Sequence, residues 1–316
     1  MSSQLTRRVL LASCGAAMLG SPVLTQAAEQ APARATAAKP LLRIGLMADA
    51  QYADLDPVGT RYYRASLGKL TQAIDHFNGQ ELDFCVHLGD LIDKHWSSFD
   101  EVLKPVAASR HRMYQLLGNH DFAVLEAQKP KVPDRMGMTK RYYSFERGGF
   151  RFVVLDTTEV STYAHPEGTP PHQAAAVELE RLKSAKLPNA QAWNSGVGER
   201  QIAWFEAQCR EAAAAGQKVI VFAHHPVYPS GNVHNAWDSD RILSAVEQHQ
   251  NVVAWLNGHN HAGAFGIRLD VPFVTMHGMV ETSDTNAFAA AAVYADRIVL
   301  TGHGREPSRE LPFRKV

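Results

Sequence analysis

Short apolar runs alternate with longer, helix-like segments along most of the chain after Pro40. Residues 42–47 form an apolar run typical of a strand, and four large apolar residues then recur at helical spacing. These four residues are Leu67, Leu70, Ile74 and Phe77. Two further apolar runs, at residues 84–88 and 113–117, predict a second and a third strand. The alternation of strand and helix favours an α/β domain built from βαβ units.

The middle of the chain departs from this simple alternation. Apolar runs at residues 142–145 and 152–155 flank a Gly-Gly pair, and the gap between them is too short for a helix. This part therefore predicts a hairpin. Residues 157–198 are rich in Pro, Ala and Gly, with one helix-like piece at 173–185. We interpret residues 157–198 as a long insertion or a lid over the site.

The remainder of the chain predicts more elements of both types. Helices are expected at 199–215 and 239–249, strands at 218–222, 252–256 and 273–276, and a hairpin at 290–294 and 297–301. Hairpins within an otherwise alternating pattern imply sheets that are mixed rather than purely parallel. The predicted fold class is α/β, with two packed mixed β-sheets flanked by helices in one domain over residues 41–316.

Composition places the chain among globular proteins. Its 316 residues are 45% hydrophobic, which is enough for a substantial buried core, and its formal net charge at pH 7 is zero. This balance argues against a nucleic-acid-binding surface. After the N-terminal segment, no stretch has the roughly 20 apolar residues that a membrane span needs. Cys85 and Cys209 lie in apolar or helix-like stretches and are predicted to be buried free thiols.

The first 28 residues resemble an export signal with a twin-arginine pattern. Arg7 and Arg8 precede a short, weakly apolar stretch, and residues 29–40 form an Ala-rich linker that we expect to be flexible. An ordinary secretory signal with two arginines is one alternative, and a lipidated anchor at Cys14 is another. Cleavage would leave 30 basic and 32 acidic side chains, a formal charge of −2. We expect a periplasmic or secreted protein exported by the twin-arginine machinery, which N-terminal sequencing of the exported protein would test.

Five short polar clusters lie in order along the chain, most of them just after a predicted strand. They are Asp49-Ala50-Gln51, Gly89-Asp90, Gly118-Asn119-His120-Asp121, His224-His225-Pro226 and Gly258-His259-Asn260-His261. Loops at the carboxyl ends of strands converge at one edge of a sheet, so these distant positions are expected to meet. Their donors are carboxylate and amide oxygens and imidazole nitrogens, without a thiolate. Such a set is typical of two divalent cations such as Mn²⁺, Mg²⁺, Fe²⁺ or Zn²⁺.

The order and residue types of these clusters resemble the metallophosphoesterase, or calcineurin-like, signature. The resemblance implies an αββα sandwich in which a metal-bridging hydroxide attacks a phosphate ester, with Asp90 bridging both metals and His120 assisting the leaving group. It implies one ligand set of Asp49, Gln51 and His261 and another of Asn119, His224 and His259. We assign His224 rather than His225 because its spacing before Pro226 matches the family, and we expect His225 to point elsewhere.

The first cluster departs from the Asp-x-His of most relatives, because Gln51 replaces the histidine. A neutral carbonyl oxygen favours harder ions such as Mn²⁺ or Mg²⁺, or alternatively indicates that one metal site is weakened or lost. The surrounding residues favour the first explanation, since they resemble the manganese-dependent ADP-ribose/CDP-alcohol diphosphatase branch, which also carries Gln here. The segments that carry this resemblance are 48–54, 61–67, 193–198 with Gln201 and Trp204, and 277–282.

Two arginines and three aromatic residues are candidates for binding the substrate. Guanidinium groups match phosphate oxygens, so Arg61 and Arg64 are candidates for contacting a second phosphate or a nucleotide, with a solvated helix face as the alternative. Tyr52, Tyr62 and Trp193 are candidates for stacking on a base, with core packing as the alternative for each.

Together these features predict a secreted dinuclear phosphohydrolase that cleaves a phosphoanhydride or phosphodiester bond in a small, nucleotide-like substrate of the ADP-ribose or CDP-alcohol type. A periplasmic phosphomonoesterase or a general phosphodiesterase of the same superfamily is the alternative, because loops change the substrate while the metals stay. A binding scaffold without catalysis is a more remote alternative. Such a protein should lack ligands or the leaving-group histidine, and all of them are present here.

Overall fold

Two six-stranded β-sheets pack face to face, and helices cover their outer surfaces. The computed structural model describes residues 39–315. Its strands are β1 (Leu42–Met47), β2 (Phe84–His87), β3 (Met113–Gln115), β4 (Tyr143–Arg147), β5 (Phe150–Val154), β6 (Lys218–Phe222), β7 (Val252–Asn257), β8 (Ala264–Arg268), β9 (Val271–Thr275), β10 (Ala287–Val293), β11 (Arg297–Gly304) and β12 (Arg309–Pro312). Its α-helices are α1 (Tyr63–Asn78), α2 (Ser98–Ala107), α3 (Val132–Arg135), α4 (Pro170–Ser184), α5 (Glu199–Ala214) and α6 (Ser239–Gln248).

Both sheets combine parallel and antiparallel pairs. The first sheet has the order β12-β11-β10-β1-β2-β3, in which β1, β2 and β3 are parallel and the other pairs are antiparallel. The second has the order β4-β5-β6-β7-β9-β8, in which β5, β6, β7 and β9 are parallel and both edge strands pair antiparallel. Because parallel strands end at the same edge, the loops after β1, β2 and β3 gather together, as do those after β6 and β7.

The main core lies between the two sheets and is built from alternate residues of the strands. Ile44 and Leu46 of β1 are fully buried there, and in the second sheet the rings of Phe152 and Phe222 stack with their centroids 5.7 Å apart. Burying one such side chain contributes about 1.5–3 kcal/mol to stability. This layer fixes the two sheets relative to each other and therefore fixes the loops at their edges.

Helices α1 and α2 cover the outer face of the first sheet, and α5 and α6 cover that of the second. Leu70, Ile74 and Phe77 of the predicted apolar stripe are buried in the first helix layer. Phe205 and Ile242 occupy the corresponding layer over the second sheet. The predicted fold class, two mixed sheets flanked by helices, is confirmed.

Four of the helices and strands listed above escape the sequence prediction. Helix α2 is short and contains Pro105, a residue type that disfavours a helix interior. Strand β8 lies at the edge of its sheet, and the alternating Phe265 and Ile267 are exposed, so this strand does not bury an apolar face as a half-buried strand does. Helix α3 and strand β12 have only four residues each. The internal proline hides α2 from prediction, and shortness hides α3 and β12.

The predictions for the N-terminus concern residues that lie outside the described ones. The export signal at 1–28, including Cys14, and all but the end of the linker at 29–40 stay predictions. None of the helices between residues 39 and 315 is long and apolar enough to cross a membrane. Cys85 and Cys209 are both buried free thiols, as the sequence predicts.

Gly45 allows α1 to approach β1 closely. A Cβ added to Gly45 would lie 2.8 Å from Sγ of Cys85 and 2.9 Å from the ring of Phe77. Gly68, on α1, has no atom within 4 Å of an added Cβ. The same change to alanine therefore meets a closed core at one position and open space at the other.

We expect Gly45→Ala to lower the free energy of unfolding by about 1–3 kcal/mol, because it overpacks the core. Gly68→Ala should raise it by about 0.5–1 kcal/mol, because alanine loses less conformational freedom in a helix. Urea denaturation of the two variants measures both effects. A Gly45→Ala variant as stable as the wild type would mean that α1 moves away from β1 at little cost.

Candidate metal centre

The polar clusters from distant parts of the chain meet at one edge of the two sheets. Asp49, Asp90 and Asn119 follow β1, β2 and β3, whereas His224 and His259 follow β6 and β7. Ligand atoms of Asp49, Asp90 and His224 lie within 4.8 Å of one another. The first sheet thus supplies carboxylates and amides to the site, and the second sheet supplies imidazoles.

Four of the candidate ligands have a left-handed backbone conformation. Asp49, Gln51, Asp90 and His259 have φ angles of 54°, 44°, 58° and 72°, a region that residues other than glycine rarely adopt. The loops hold one another in this conformation. The N–H of Asp49 donates to the carbonyl of Gly89 at 3.1 Å, and the N–H of Gln51 donates to that of Asp90 at 2.9 Å. Such strain costs on the order of 1–3 kcal/mol per residue and clusters at functional sites.

Asp121 holds the loop that carries Asp90. Its buried carboxylate accepts the backbone N–H groups of Gly118, Asp90, Leu91 and Ile92 at 2.8 to 3.2 Å. Asp121 ends the Gly118-Asn119-His120-Asp121 cluster, and the sequence alone does not indicate this role. A Cβ on Gly118 would lie 2.1 Å from Oδ1 of Asp90, so the two loops approach closely only because this residue is glycine.

The predicted ligand set of Asn119, His224 and His259 comes together. Oδ1 of Asn119 lies 3.2 Å from Nε2 of His224 and 3.0 Å from Nδ1 of His259. Two ligands that bind a metal at about 2.1 Å and at right angles to each other are about 3.0 Å apart. The two distances from Asn119 are therefore of the size expected for ligands that would share one metal ion.

The other predicted set surrounds Asp90. Nε2 of Gln51 lies 2.9 Å from Oδ2 of Asp90 and 3.0 Å from Nε2 of His261. The same nitrogen of His261 is 3.7 Å from Oδ1 of Asp49. Oδ2 of Asp90 also lies 3.4 Å from Nε2 of His224, which belongs to the set with Asn119 and His259. Asp90 is thus located between the two sets, where a bridging carboxylate belongs.

Gln51 shows independently that a metal ion fits this site. Its amide oxygen, Oε1, is buried and has no hydrogen-bond partner among residues 39–315. A buried unpaired acceptor costs about 1–3 kcal/mol. Rotating the amide by 180° would turn this oxygen toward Asp90 and His261, whose facing atoms also accept. A cation satisfies such a group of acceptors, so the residues present fit a bound metal.

The charges of the site also favour a cation. Asp49 and Asp90 are both fully buried, and burial raises the pKa of Asp49 above its ordinary value. Burial alone would raise the pKa of Asp90 too, but His224 and His120 outweigh it and hold that pKa below its usual range. Burial opposes a charge on His224, yet Asp90 raises its pKa to about 9. Because a metal binds the neutral form of an imidazole, a metal at His224 would compete with a proton there.

Two ligand histidines are held through the ring nitrogen that faces away from the site. Nδ1 of His224 donates to the carbonyl oxygen of Leu88 at 2.8 Å, and Nδ1 of His261 donates to Oε1 of Glu281 at 2.7 Å. Because both partners only accept, Nδ1 carries the hydrogen in each ring and Nε2 is left for the metal. The hydrogen bond from His261 lowers the pKa of Glu281 to about 2.

Sequence reasoning missed the roles of Glu281 and Asn194. Oδ1 of Asn194 lies 2.8 Å from Nε2 of His259, as Glu281 lies against His261. Contacts of this kind orient metal ligands and tune their affinity. Both residues belong to the segments that carry the family resemblance, which is the only signal for them. Neither follows a predicted strand, and Asn194 is far along the chain from the histidine it contacts.

His120 lies beside the predicted bridging carboxylate. Its backbone N–H donates to Oδ1 of Asp90 at 2.7 Å, and Nδ1 of its ring lies 3.0 Å from Oδ1 of Asp93. Burial opposes a charge on His120, but Asp90 and Asp93 outweigh it and raise its pKa above the ordinary value. Its Nε2 faces Nη1 of Arg61 at 3.4 Å. Asp93, which sequence reasoning also missed, orients the ring so that Nε2 faces the cavity.

The two candidate arginines lie in different environments. Arg61 lines a cavity of about 530 Å³ together with His120 and five of the seven candidate metal ligands. Arg64 instead forms ion pairs with Asp54 at 2.5 Å and with Asp56 at 3.1 Å, and it is not among the residues that line this cavity. The structure thus brings Arg61, but not Arg64, to the site.

The three aromatic candidates also separate. Tyr52 is buried among the apolar side chains of the layer under α1, and Tyr62 precedes α1 without lining the cavity. Trp193 does line the cavity, and 45% of its surface is exposed. The segment at 157–198 therefore forms part of the cavity wall through Trp193.

His225 contacts hydroxyl groups rather than the oxygen ligands. Its Nδ1 lies 2.8 Å from Oγ1 of Thr157, and its Nε2 lies 3.4 Å from Oγ of Ser195. One of its nitrogens is still within 4.8 Å of nitrogens of His224 and His259. Both ring nitrogens nevertheless have partners away from the carboxylates, the arrangement expected for a residue that points elsewhere.

The calcineurin-like phosphoesterase family matches residues 42–263, which is most of the chain. The chain therefore belongs to the calcineurin-like phosphoesterase family. The predicted class of enzyme, a metal-dependent hydrolase of phosphoric esters or anhydrides, is confirmed by this membership. The prediction of two divalent metal ions as cofactors is confirmed as well, since the family and the buried ligand cluster agree.

The chain is similar to curated relatives over nearly their whole length. The chain is 28% identical to a "Manganese-dependent ADP-ribose/CDP-alcohol diphosphatase" from Danio rerio over 312 residues, which cover 84% of this chain and 96% of the relative. It is 28% identical to the protein of the same name from Homo sapiens over 327 residues, which cover 87% of this chain and 94% of that one.

The chain is also similar to solved structures of phosphatases. A dimetal phosphatase from Danio rerio has a TM-score of 0.79 and 27% sequence identity, and the match covers 87% of this chain and 100% of that one. A purple acid phosphatase from yellow lupin seeds has a TM-score of 0.52 and 15% identity, covering 85% of this chain and 52% of that one. At that identity the second likeness shows the fold alone.

We expect Glu281→Gln to weaken Mn²⁺ binding by about 10- to 100-fold, because an amide holds His261 less firmly than a carboxylate does. Titration of the metal-free protein with Mn²⁺, followed by EPR of the free ion, measures the affinity. Glu306→Gln is the matched control, since Glu306 contacts Nδ1 of His277 at 3.1 Å and His277 is not a candidate ligand. Unchanged affinity in Glu281→Gln would show that this carboxylate does not support the metal.

Proposed function

We propose that this enzyme hydrolyses the phosphoanhydride or phosphodiester bond of a nucleotide-like substrate, of the ADP-ribose or CDP-alcohol type, with Mn²⁺ as its metal. The general activity, metal-dependent phosphohydrolysis, follows from the family. The names of the curated relatives support the narrower substrate and the choice of manganese. Gln51 supports manganese too, because a neutral oxygen ligand favours harder ions than imidazole does.

One contact carries the proposal for the substrate. Nη1 of Arg61 faces Nε2 of His120 at 3.4 Å, and the raised pKa of His120 favours the form in which both atoms are donors. When both Arg61 and His120 are donors, neither can accept a hydrogen bond from the other. An anionic oxygen that contacts both would satisfy them. A diphosphate supplies such an oxygen on the departing phosphate, next to the phosphate under attack.

The residues of the site divide the chemistry among them. Two divalent cations, when bound, would activate a water and stabilise the negative charge that develops on the phosphoryl oxygens. Asp90 lies between the two ligand sets, and its Oδ1 accepts a hydrogen bond from the backbone N–H of His120. His120 then donates the proton from Nε2 to the departing oxygen, while Asp93 stabilises the charged ring through Nδ1. Arg61 neutralises the departing phosphate.

The cavity also suits a substrate larger than a simple phosphate ester. Its volume of about 530 Å³ falls within the roughly 300–1,000 Å³ of typical small-molecule sites. Trp193 and His234 line its wall beyond the metal ligands, and both offer flat ring surfaces. A nucleobase can stack on such rings, whereas a small phosphomonoester would leave them without contact.

We expect the mature protein with Mn²⁺ to release a nucleoside monophosphate from ADP-ribose and a CDP-alcohol faster than it hydrolyses a phosphomonoester or a simple diester. Arg61→Gln should lower kcat/KM for ADP-ribose by about 10- to 100-fold, the effect of losing one charged hydrogen bond. Arg64→Gln is the matched control and should leave it nearly unchanged. Chromatography of the products measures all four substrates side by side.

The other outcomes of this comparison are equally informative. A preference for the monoester or the simple diester would contradict the proposed substrate and favour a phosphomonoesterase or a general phosphodiesterase. Inactivity on all four substrates would contradict catalysis and favour a binding scaffold.

We expect His120→Ala to lower kcat by about 100- to 10,000-fold for a substrate with a poor leaving group, because the proton donor is lost. The loss should be much smaller with 4-nitrophenyl esters, whose leaving group departs without a proton. Asp93→Asn should show the same dependence on the leaving group with a smaller loss. In the His120→Ala background, Asp93→Asn should have no further effect, since Asp93 acts through His120. Equal losses for both leaving groups would rule out proton donation by His120.

A further inference from the structure

Asn194 is a buried amide that connects three separate segments of the chain. Its Nδ2 donates to the carbonyl oxygen of Asn189 at 3.0 Å and to that of Val233 at 2.7 Å. Its Oδ1 lies 2.8 Å from Nε2 of His259. One side chain thus links the segment at 157–198, the loop after β6 and a candidate metal ligand.

The two donor contacts fix the orientation of the amide. Backbone carbonyls only accept, so the atom that faces Asn189 and Val233 must be the nitrogen, and both of its hydrogens are used. The oxygen must therefore face His259. Since that oxygen only accepts, Nε2 of His259 must carry a hydrogen and donate it. The neutral ring then has no hydrogen on Nδ1, the nitrogen 3.0 Å from Oδ1 of Asn119.

We propose that Asn194 is a positioning residue that sets the tautomer of His259, so that this ligand offers Nδ1 to its metal whereas His224 and His261 offer Nε2. The inference rests on the proposed metal-dependent function of this site, although its first tests need no substrate. It also explains why Asn194 needs two anchors of its own. Leu88 and Glu281 present only acceptors to their histidines, but an amide presents a donor or an acceptor according to its orientation.

The unpaired acceptors at the metal side support the proposal. Nδ1 of His259 carries no hydrogen, so its lone pair faces Oδ1 of Asn119. The two atoms are 3.0 Å apart, a hydrogen-bond distance, but neither has a hydrogen to donate. Two acceptors this close repel each other unless a cation lies beside both. The tautomer set by Asn194 thus leaves a lone pair of His259 beside the carbonyl oxygen of Asn119, where the set of Asn119, His224 and His259 would hold a metal.

The first experiment measures the tautomers directly. Long-range ¹H–¹⁵N correlation spectra of the wild-type protein labelled with ¹³C and ¹⁵N distinguish Nδ1–H from Nε2–H rings, and correlations from each ring to its own backbone assign the signals. In the Mg²⁺-loaded protein we expect a hydrogen on Nε2 of His259 and on Nδ1 of His224 and His261. A hydrogen on Nδ1 of His259 would overturn the proposal, and this result needs no variant to fold.

Variants then test whether Asn194 is the cause. Asn194→Ala removes the acceptor, so the Nε2–H signal of His259 should lose its dominance while those of His224 and His261 stay unchanged. Mn²⁺ affinity, measured by EPR titration of the metal-free protein, should fall by about 10- to 100-fold. Asn194→Asp keeps an acceptor for Nε2 but loses both donors, so it should retain the tautomer that Asn194→Ala loses. If both variants give the same imidazole spectrum, the acceptor role is wrong.

Asn189→Ala is the matched control. It removes a comparable buried amide, whose Nδ2 donates to the carbonyl of Ala236 at 2.7 Å, but it leaves the backbone carbonyl that anchors Asn194. The tautomer of His259 should be unchanged in this variant. A loss of the tautomer in Asn189→Ala equal to that in Asn194→Ala would indicate general loosening of the loop and contradict a specific role. Hydrolysis of no tested substrate, with the tautomers as expected, would contradict the proposed function alone.

Discussion

The carboxylate of Asp90 is buried where the two sheets meet, and the rest of the site is arranged around it. Its Oδ1 accepts the N–H of His120, and its Oδ2 lies near both Gln51 and His224. A buried carboxylate without compensating charge is among the most costly groups a protein can contain. The strained loops, the four backbone N–H groups that donate to Asp121 and the neighbouring His224 all help to hold this carboxylate where cations can neutralise it.

The metal ligands and the residues that line the rest of the cavity lie on different parts of the fold, because only the ligands must be held firmly around Asp90. Metal ligands sit at strand ends, where the packed sheets fix them, while the residues that face the rest of the cavity lie on loops. Arg61 precedes α1, and Trp193 and His234 lie in the segments after β5 and β6. Loops can change without disturbing the core. A family that keeps its metals can therefore diversify its substrates through positions such as these.

Much of the fold and the ligand set is predictable from the sequence because both depend on local patterns. Strand runs followed at once by Asp, Asn or His identify positions that topology brings together. The residues that support the ligands are different, because Asp93, Glu281 and Asn194 act on partners that only the folded chain places beside them. Arg61 and Arg64 show the same limit. They are three positions apart in the sequence. Only the folded structure shows that Arg64 pairs with Asp54 and Asp56, whereas Arg61 lines the cavity.

The division of ligands between the sheets determines when the site can assemble. Oxygen ligands come from the first part of the chain, and imidazoles come from the part after residue 223. During synthesis on the ribosome, Asp49, Asp90 and Asn119 emerge long before any of the histidine ligands has been made. Strand β10, which pairs with β1, emerges later still. Neither metal can be captured in full by a nascent fragment, so metal loading belongs to the finished chain.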